Sequence, residues 1–352
     1  MLVVLMLCRV VNVDTMQTKS FREFRINLNI KFGALVFSFL LLIFFTNVVA
    51  QNQEPADTVR IESELVDLKV SVLGFAPETP PPLLEQKDFQ VLEDGAPQEI
   101  SFFAAADAPF DLVLFIDLSG STSDKLKMIR RSAKRFVEAT RPVDRVAIVT
   151  FTDRPALRSE FTLDRRQLKK TIDEIDEAFG GTNFWDSLNF VLQRLIPQGH
   201  SSRRSAIVLM TDGVDNALPD VAGPGSRMRF EELIANVRNS EAIIFPIYLD
   251  TEEEEFKRHR TPRDAYKEAR EQLAELADTC GTTLYRASKI EDLETVYDHV
   301  INDLSTVYSI GYRPTNRVRD GKWRSIVVQL NDHEGLFARS KRGYYAKDMR
   351  PQ

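Results

Sequence analysis

Only two cysteines and four histidines occur in the 352 residues of this chain. Cys8 and Cys280 cannot build a disulfide framework of the kind that stabilises small secreted domains. His200, His259, His299 and His333 are scattered among polar neighbours, and no pair has zinc-ligand spacing. There is no Gly-x-x-x-x-Gly-Lys loop, so a nucleotide-driven motor has no support. Neither a Gly-x-Ser-x-Gly elbow nor a Ser/His/Asp set for nucleophilic catalysis is present. An excess of positive charge is lacking too: the formal net charge is −6. Residues 1–50 hold five basic and two acidic groups, so the remainder carries 41 basic against 50 acidic residues, a net −9. An acidic body argues against nucleic acid as the partner. What is plentiful is apolar sequence. A 43% hydrophobic share is enough for a sizeable core, and the length allows two domains or one with extensions.

The longest apolar run is near the N-terminus. Phe32 to Phe45 is apolar except for Ser38, with Arg22, Arg25 and Lys31 ahead of it and Val48-Val-Ala50 behind. This is the layout of a secretory signal with cleavage after Ala50. The alternative is an uncleaved anchor, since Phe32 to Ala50 approaches the roughly 20 residues a bilayer needs. Residues 1–15 lengthen the leader beyond the ordinary, and Met16 would be a better start. The expectation is therefore an exported protein, periplasmic or extracellular, that touches a membrane only if the anchor stays. After cleavage Cys280 stands alone, as a small buried apolar residue rather than a reactive thiol.

Beyond residue 50 the chain divides into a polar lead (51–58), an N-terminal β segment (59–109), an α/β unit (110–304) and a C-terminal β segment (305–347). In the first β segment Val66, Leu68, Val70 and Val72 alternate as in a strand, Pro77 and Pro80-Pro-Pro82 interrupt, and Asp94-Gly95 marks a hairpin. In the α/β unit, strands are expected at Leu112–Ile116, Val146–Phe151, Ala206–Met210, Ile243–Leu249 and Thr283–Arg286. Helices are expected at Lys125–Ala139, Arg165–Ala178, Phe184–Leu195, Phe230–Asn239, Asp264–Asp278 and Glu291–Val307. Near-continuous apolar strands joined by amphipathic helices imply a doubly wound, mostly parallel sheet covered on both faces. The charged run Thr251 to Arg260 is read as a solvated loop. From Tyr308 strand patterns return (Tyr308–Tyr312, Ser325–Leu330, Gly335–Arg339). These strands are expected to pair with those of residues 59–105 as one small β module built from both flanks.

Three motifs fall on loops at one end of the expected sheet. Asp117-Leu-Ser-Gly-Ser121 closes the first apolar strand. Gly180-Gly-Thr-Asn183 precedes the Phe184 helix, and Thr211-Asp-Gly213 follows the third strand. Ligands in such folds gather at the carboxyl ends of strands. Asp117, Ser119, Ser121, Thr182 and Asp212 offer three neutral hydroxyls and two carboxylates. Such an oxygen set suits a hard divalent cation, Mg²⁺ first, with Mn²⁺ or Ca²⁺ as alternatives. So few formal charges leave the ion with affinity for one more anionic oxygen, such as a carboxylate from a partner. The glycines allow positive φ and close backbone approach.

This arrangement resembles the von Willebrand factor type A domain with its metal-ion-dependent adhesion site, over Phe110 to Leu304. By that resemblance Ser119, Ser121 and Thr182 contact the metal, while Asp117 and Asp212 bind directly or through water. Asp88-Phe-Gln-Val-Leu-Glu-Asp-Gly95, Tyr308-Ser-Ile-Gly-Tyr-Arg-Pro314 and Arg342-Gly-Tyr344 resemble a bacterial exported subgroup. Thr279-Cys-Gly281 departs from a pair of glycines common in relatives. The resemblance implies a binding or adhesion protein, not an enzyme, that engages a protein ligand offering a carboxylate. It also implies that the last helix can shift on binding. Two other functions stay open. One is a Mg²⁺-dependent hydrolase of phosphoryl-transfer type, although its second acid would fall at Ser119. The other is a scaffold that binds nothing. Each residue also has a plainer role. Asp117 would cap a helix above two turn serines, and Asp212-Gly213 would be a turn. Asp215 and Asn216 would shape their loop or touch a ligand, Trp185 would pack or line the rim, and Asp186 would favour a helix start.

Overall fold

The computed structural model describes residues 65–74, 83–122, 125–176, 180–197, 203–258 and 261–346. The signal or anchor segment (1–50), the polar lead (51–58), Val59 and Pro77 to Pro82 lie outside the described residues. Among the described residues no helix is long and apolar enough to cross a membrane.

Fourteen strands occur among the described residues. The first four are β1 (Val66–Leu73), β2 (Phe89–Glu93), β3 (Ala96–Gln98) and β4 (Ile100–Ala104). The central sheet follows, with β5 (Phe110–Asp117), β6 (Arg145–Phe151), β7 (Pro155–Thr162), β8 (Arg204–Thr211), β9 (Ile243–Leu249) and β10 (Tyr285–Ala287). The chain ends with β11 (Val307–Tyr312), β12 (Trp323–Leu330), β13 (Phe337–Arg339) and β14 (Gly343–Tyr345). The α-helices are α1 (Leu126–Ala139), α2 (Arg165–Asp173), α3 (Phe184–Arg194), α4 (Phe230–Asn239), α5 (Glu252–Lys257), α6 (Arg263–Cys280) and α7 (Leu293–Leu304).

The central sheet has the order β10-β9-β8-β5-β6-β7, and only the β6–β7 pair is antiparallel. Strands β5, β8 and β9 are buried along their whole length, as expected of runs covered on both faces. One face packs on α1, α2 and α7 through residues such as Ile129, Phe136, Leu168 and Tyr297. The other packs on α3, α4 and α6 through Phe184, Leu188, Leu233, Tyr266 and Leu273. The chain passes from β5 to β6 on one side and later returns to β8 on the other. The crevice beyond the carboxyl ends of β5 and β8 is thus the topological switch point.

The two flanks do pair. They form two antiparallel four-stranded sheets, β13-β1-β11-β4 and β14-β12-β2-β3, each mixing N-terminal and C-terminal strands. In the first, Leu68 lies opposite Ile310 and Val70 opposite Tyr308. In the second, Val91 lies opposite Val328. Inward residues of both sheets share one apolar core, with Phe89 and Tyr308 in ring contact at 5.0 Å. The expected β module is therefore a small sandwich assembled from the two ends of the described chain.

Several expectations need correction. The charged run after Thr251 is not a loop over its first half: Glu252–Lys257 form α5, and Glu255 is buried beside Arg258 at 2.8 Å. Four glutamates in a first turn favour the helix dipole, and burial of one face supplies the rest. The last helix stops at Leu304, because Val307 already pairs in β11, so the expected end at Val307 overran. The helix from Arg165 ends at Asp173. Strand β7 adds to the expected strands; it is an edge strand with irregular register to β6, and its half-exposed pattern masks the period of two.

Candidate metal centre

Asp117 is the last residue of β5 and is fully buried. Its Oδ1 accepts the Ser119 backbone N–H at 2.8 Å, and its Oδ2 accepts the Thr211 hydroxyl at 2.6 Å. The first bond tightens the loop after β5, so that the Ser119 and Ser121 hydroxyls sit 3.1 Å apart. Thr122 closes the same turn by donating to the carbonyls of Asp117 at 3.2 Å and Ser119 at 3.0 Å.

Asp212 follows β8 on the neighbouring strand and is 1% exposed. It accepts the Val214 N–H at 3.2 Å and the Thr251 hydroxyl at 2.7 Å. Gly213 takes φ +76°, which favours glycine, and its N–H donates to the Thr211 hydroxyl at 2.8 Å. A Cβ there would lie 2.8 Å from Leu273.

Thr182 comes from the third loop. Its N–H donates to Asn216 Oδ1 at 2.9 Å, and its carbonyl accepts the Asn216 N–H at 2.9 Å. That reciprocal pair ties the Thr182 loop to the Asp212 loop. Ser119, Ser121, Thr182 and Asp212 all line one open cleft of about 560 Å³, with Asp117 buried beneath. The structure thus brings the three expected loops together.

The neighbours take the plainer roles. Asp215 accepts from the Trp185 N–H, the Ala217 N–H and both donors of Ser226, at 2.6 to 3.1 Å. Trp185 packs on Phe230 and donates to Gln272. Asp186 holds the backbone N–H groups of Arg227 and Met228. Among the described residues Asp117 accepts no bond from the start of α1, whose first residue is preceded by Lys125.

Sequence reading missed three supporting residues. Thr251 braces Asp212 and is itself 3.1 Å from the Tyr266 hydroxyl. Asp153 accepts the Gly181 N–H at 2.8 Å and lines the cleft. Lys125 donates to the Ser121 carbonyl at 3.3 Å and pairs with Glu254. A signal existed for Thr251, which follows another apolar strand at the same end of the sheet. None existed for Asp153, whose part depends on the geometry of the glycine turn.

Electrostatics set the chemistry. Burial, then the nearby Asp212 charge, push the Asp117 carboxyl up to about 7, against hydrogen bonds from Thr211 and Ser119. Burial also raises Asp212, although Ser121, Thr251, the Val214 N–H and Lys125 favour its charged form. Two buried acids in mutual repulsion fit a divalent cation, which would relieve the repulsion and hold both in the ionised form. Among the described residues no three His, Cys, Asp or Glu side chains gather as metal ligands. The hydroxyls of Ser119, Ser121 and Thr182 must therefore carry much of any coordination, which suits a hard ion and not a soft one.

Residues 111–299 match the von Willebrand factor type A domain. The chain belongs to this family. The match ends five residues short of the domain boundary read at Leu304. No curated protein matches the chain. Among solved structures, a conserved hypothetical protein, BatB, from Bacteroides thetaiotaomicron is 14% identical, with a TM-score of 0.42 over 56% of this chain and 97% of that one. The vWF domain of the type V pili tip protein Mfa5 from Porphyromonas gingivalis is 16% identical, with a TM-score of 0.42 over 55% and 94%. Proximal thread matrix protein 1 from the mussel byssus, with a zinc-occupied MIDAS motif, is 17% identical, with a TM-score of 0.44 over 59% of this chain and 48% of that one. At such identity and TM-score these likenesses carry no weight for function.

Proposed function

We propose that this type A domain belongs to an exported binding protein that holds a divalent cation in the cleft and uses it to grip a carboxylate of a protein partner. Ser119, Ser121 and Thr182 would supply hydroxyl ligands, and Asp117 and Asp212 would contribute directly or through water. The ion would supply an open coordination position for an anionic oxygen. The observation that carries this reading is the pair of buried carboxylates under a hydroxyl-lined cleft at the switch point of the sheet. Mg²⁺ is favoured, because few formal charges and many neutral oxygens match its coordination, and Mn²⁺ or Ca²⁺ could replace it. Binding is favoured over phosphoryl transfer because the position two residues after Asp117 is a serine, not a second acid. Export rests on the N-terminal apolar segment with its preceding basic residues.

Calorimetric titration with Mg²⁺, Mn²⁺, Ca²⁺ and Zn²⁺ tests the ion, and Ser119→Ala and Thr182→Ala test the ligands. Uptake of one ion per chain, weakened at least tenfold in either variant, is expected. Affinity capture from native envelopes with and without EDTA tests the partner. Absence of uptake of all four ions by the folded chain would remove the reading.

A further inference from the structure

Charge is unevenly spread over this acidic protein. The turn from β11 to β12, Arg313 to Arg324, holds five basic residues and one acid. That acid, Asp320, is already matched by the buried Arg324 at 2.9 Å. Arg313, Arg317 and Arg319 are exposed, so the positive surplus faces solvent.

Val318 stands between two of these arginines and is 61% exposed. Its backbone is held at both ends. The Val318 N–H donates to Asn316 Oδ1 at 3.1 Å, and its carbonyl accepts from Arg324 Nη2 at 3.0 Å. Gly321 donates its N–H to the Ala346 carbonyl at 2.6 Å, and the Lys322 carbonyl accepts the Ala346 N–H at 2.9 Å. A buried guanidinium and the end of β14 thus fix a turn that presents a valine to water.

Arg317, Val318, Arg319, Lys341 and Tyr345 line one groove of about 440 Å³. Tyr345 is 51% exposed, and its ring makes an edge contact at 5.0 Å with that of Trp323, itself 39% exposed. Basic, aromatic and aliphatic side chains therefore share one edge of the sandwich. Asp67 and Glu241 line the groove too, but Lys69 pairs with Asp67 at 2.7 Å, and the Lys341 charge acts on both acids. Leu65, where the described chain begins, also lines it. The N-terminal apolar run ends at Ala50, fifteen residues earlier. Such a length reaches at most about 50 Å, so an anchored chain cannot hold this groove farther than that from its bilayer.

We propose that this edge of the sandwich docks on an anionic lipid surface. Arg317 and Arg319 meet lipid phosphates, since a guanidinium matches phosphate oxygens in a fork. Val318 enters the acyl boundary between them, and Trp323 and Tyr345 lie at headgroup level, where such rings are favoured. A nucleic acid would satisfy the arginines but leave Val318 without an apolar partner, and the acidic body would repel it. This contact does not rest on the metal reading.

The chain has two tryptophans, of which Trp185 is buried, so quenching by lipids with brominated acyl chains reports on Trp323. The full chain is mixed in EDTA with brominated phosphatidylcholine vesicles, either pure or with about a third of the lipid as phosphatidylglycerol. Quenching at least twofold greater on the anionic vesicles is expected, and Trp323→Phe should remove the difference. Arg317→Glu and Val318→Asp should each cut it at least by half while circular dichroism stays native. Insertion of the N-terminal apolar run is common to all variants, so their differences isolate the sandwich edge. Equal quenching on the two vesicle types overturns the proposal, as does a difference that survives Trp323→Phe or Arg317→Glu. Binding of single-stranded DNA or polyglutamate that Arg317→Glu abolishes, without lipid quenching, would assign the edge to an acidic macromolecule and also overturn it. Because EDTA is present throughout, failure here leaves the divalent-cation reading untouched.

Discussion

Asp117→Asn should stabilise the metal-free protein at pH 8 and do the reverse at pH 4. The wild-type carboxyl is fully buried, and its pKa rises from an ordinary 3.8 to about 7 on folding. Between those values the native state binds more protons than the unfolded state, so stability falls as pH rises through this window. Below the unfolded pKa the acid is neutral in both states and costs nothing. Above about 7 it is charged in both. A shift of this size then costs on the order of 4 kcal/mol. Asparagine removes that cost but keeps the shape. Its Oδ1 can still accept the Ser119 N–H, whereas its Nδ2 meets the Thr211 oxygen, which already receives the Gly213 N–H. The Thr211 hydroxyl hydrogen loses its acceptor, at a cost of about 1 kcal/mol. The net gain at pH 8 is about 3 kcal/mol, or roughly 6–12 °C in midpoint for a domain of this size. At pH 4 the variant should be about 1 kcal/mol less stable than wild type. Thermal unfolding followed by circular dichroism in EDTA measures both. Saturating Mg²⁺ should invert the order at pH 8, since it stabilises wild type by mass action and the variant less. A variant no more stable than wild type at pH 8 in EDTA would refute the claim that two repelling acids lie at the base of this cleft.

Other outcomes follow from the same structure. Glu93 accepts the Tyr312 hydroxyl at 2.7 Å and the Tyr344 hydroxyl at 3.0 Å while 2% exposed. Glu93→Leu strands both hydroxyls inside the sandwich and should cost about 2–4 kcal/mol, read by urea unfolding. Gly281 ends α6 at φ +71°, and a Cβ there would lie 2.4 Å from the Ser340 carbonyl carbon. Gly281→Ala should therefore cost about 2–4 kcal/mol by the same assay, from left-handed strain and overlap together. Burial pushes the Cys280 thiol up to about 12. At pH 8 about one native molecule in 10⁴ carries the thiolate, so iodoacetamide labelling should wait for unfolding. Fast labelling of the native protein would contradict that burial.

Thr251→Val tests the bracing of the centre. It removes the donor to Asp212 but keeps volume, and should lower Mg²⁺ affinity roughly tenfold with little change in fold, by analogy with other groups that orient metal ligands.

Residue patterns alone determined much of this protein. Buried parallel strands need apolar residues on both faces, so Leu112–Ile116 and Ile243–Leu249 declare themselves without reference to any partner. An acid or hydroxyl that ends such a run must lie at the carboxyl edge of the sheet. For that reason Asp117, Ser119, Ser121 and Asp212 were nameable, Thr182 by the glycine turn ahead of its helix, and the structure puts their loops around one cleft. Pairing of the two flanks could be anticipated from their strand patterns, but not the register. That register decides that Ser309 lies between Lys69 and Ala104 and faces a cavity. Tertiary structure alone decided the rest. Asp153 and Thr251 are ordinary loop residues until distant segments close on them. Glu255 reads as one of four solvated acids until a short helix turns it inward. Arg204 is one arginine among many in the sequence, and only the folded chain shows it buried against backbone carbonyls and the Phe110 ring. Local pattern reports which face of an element avoids water, because that preference acts residue by residue. Which charges meet, and which are left unmet, depends on contacts between segments a hundred or more residues apart.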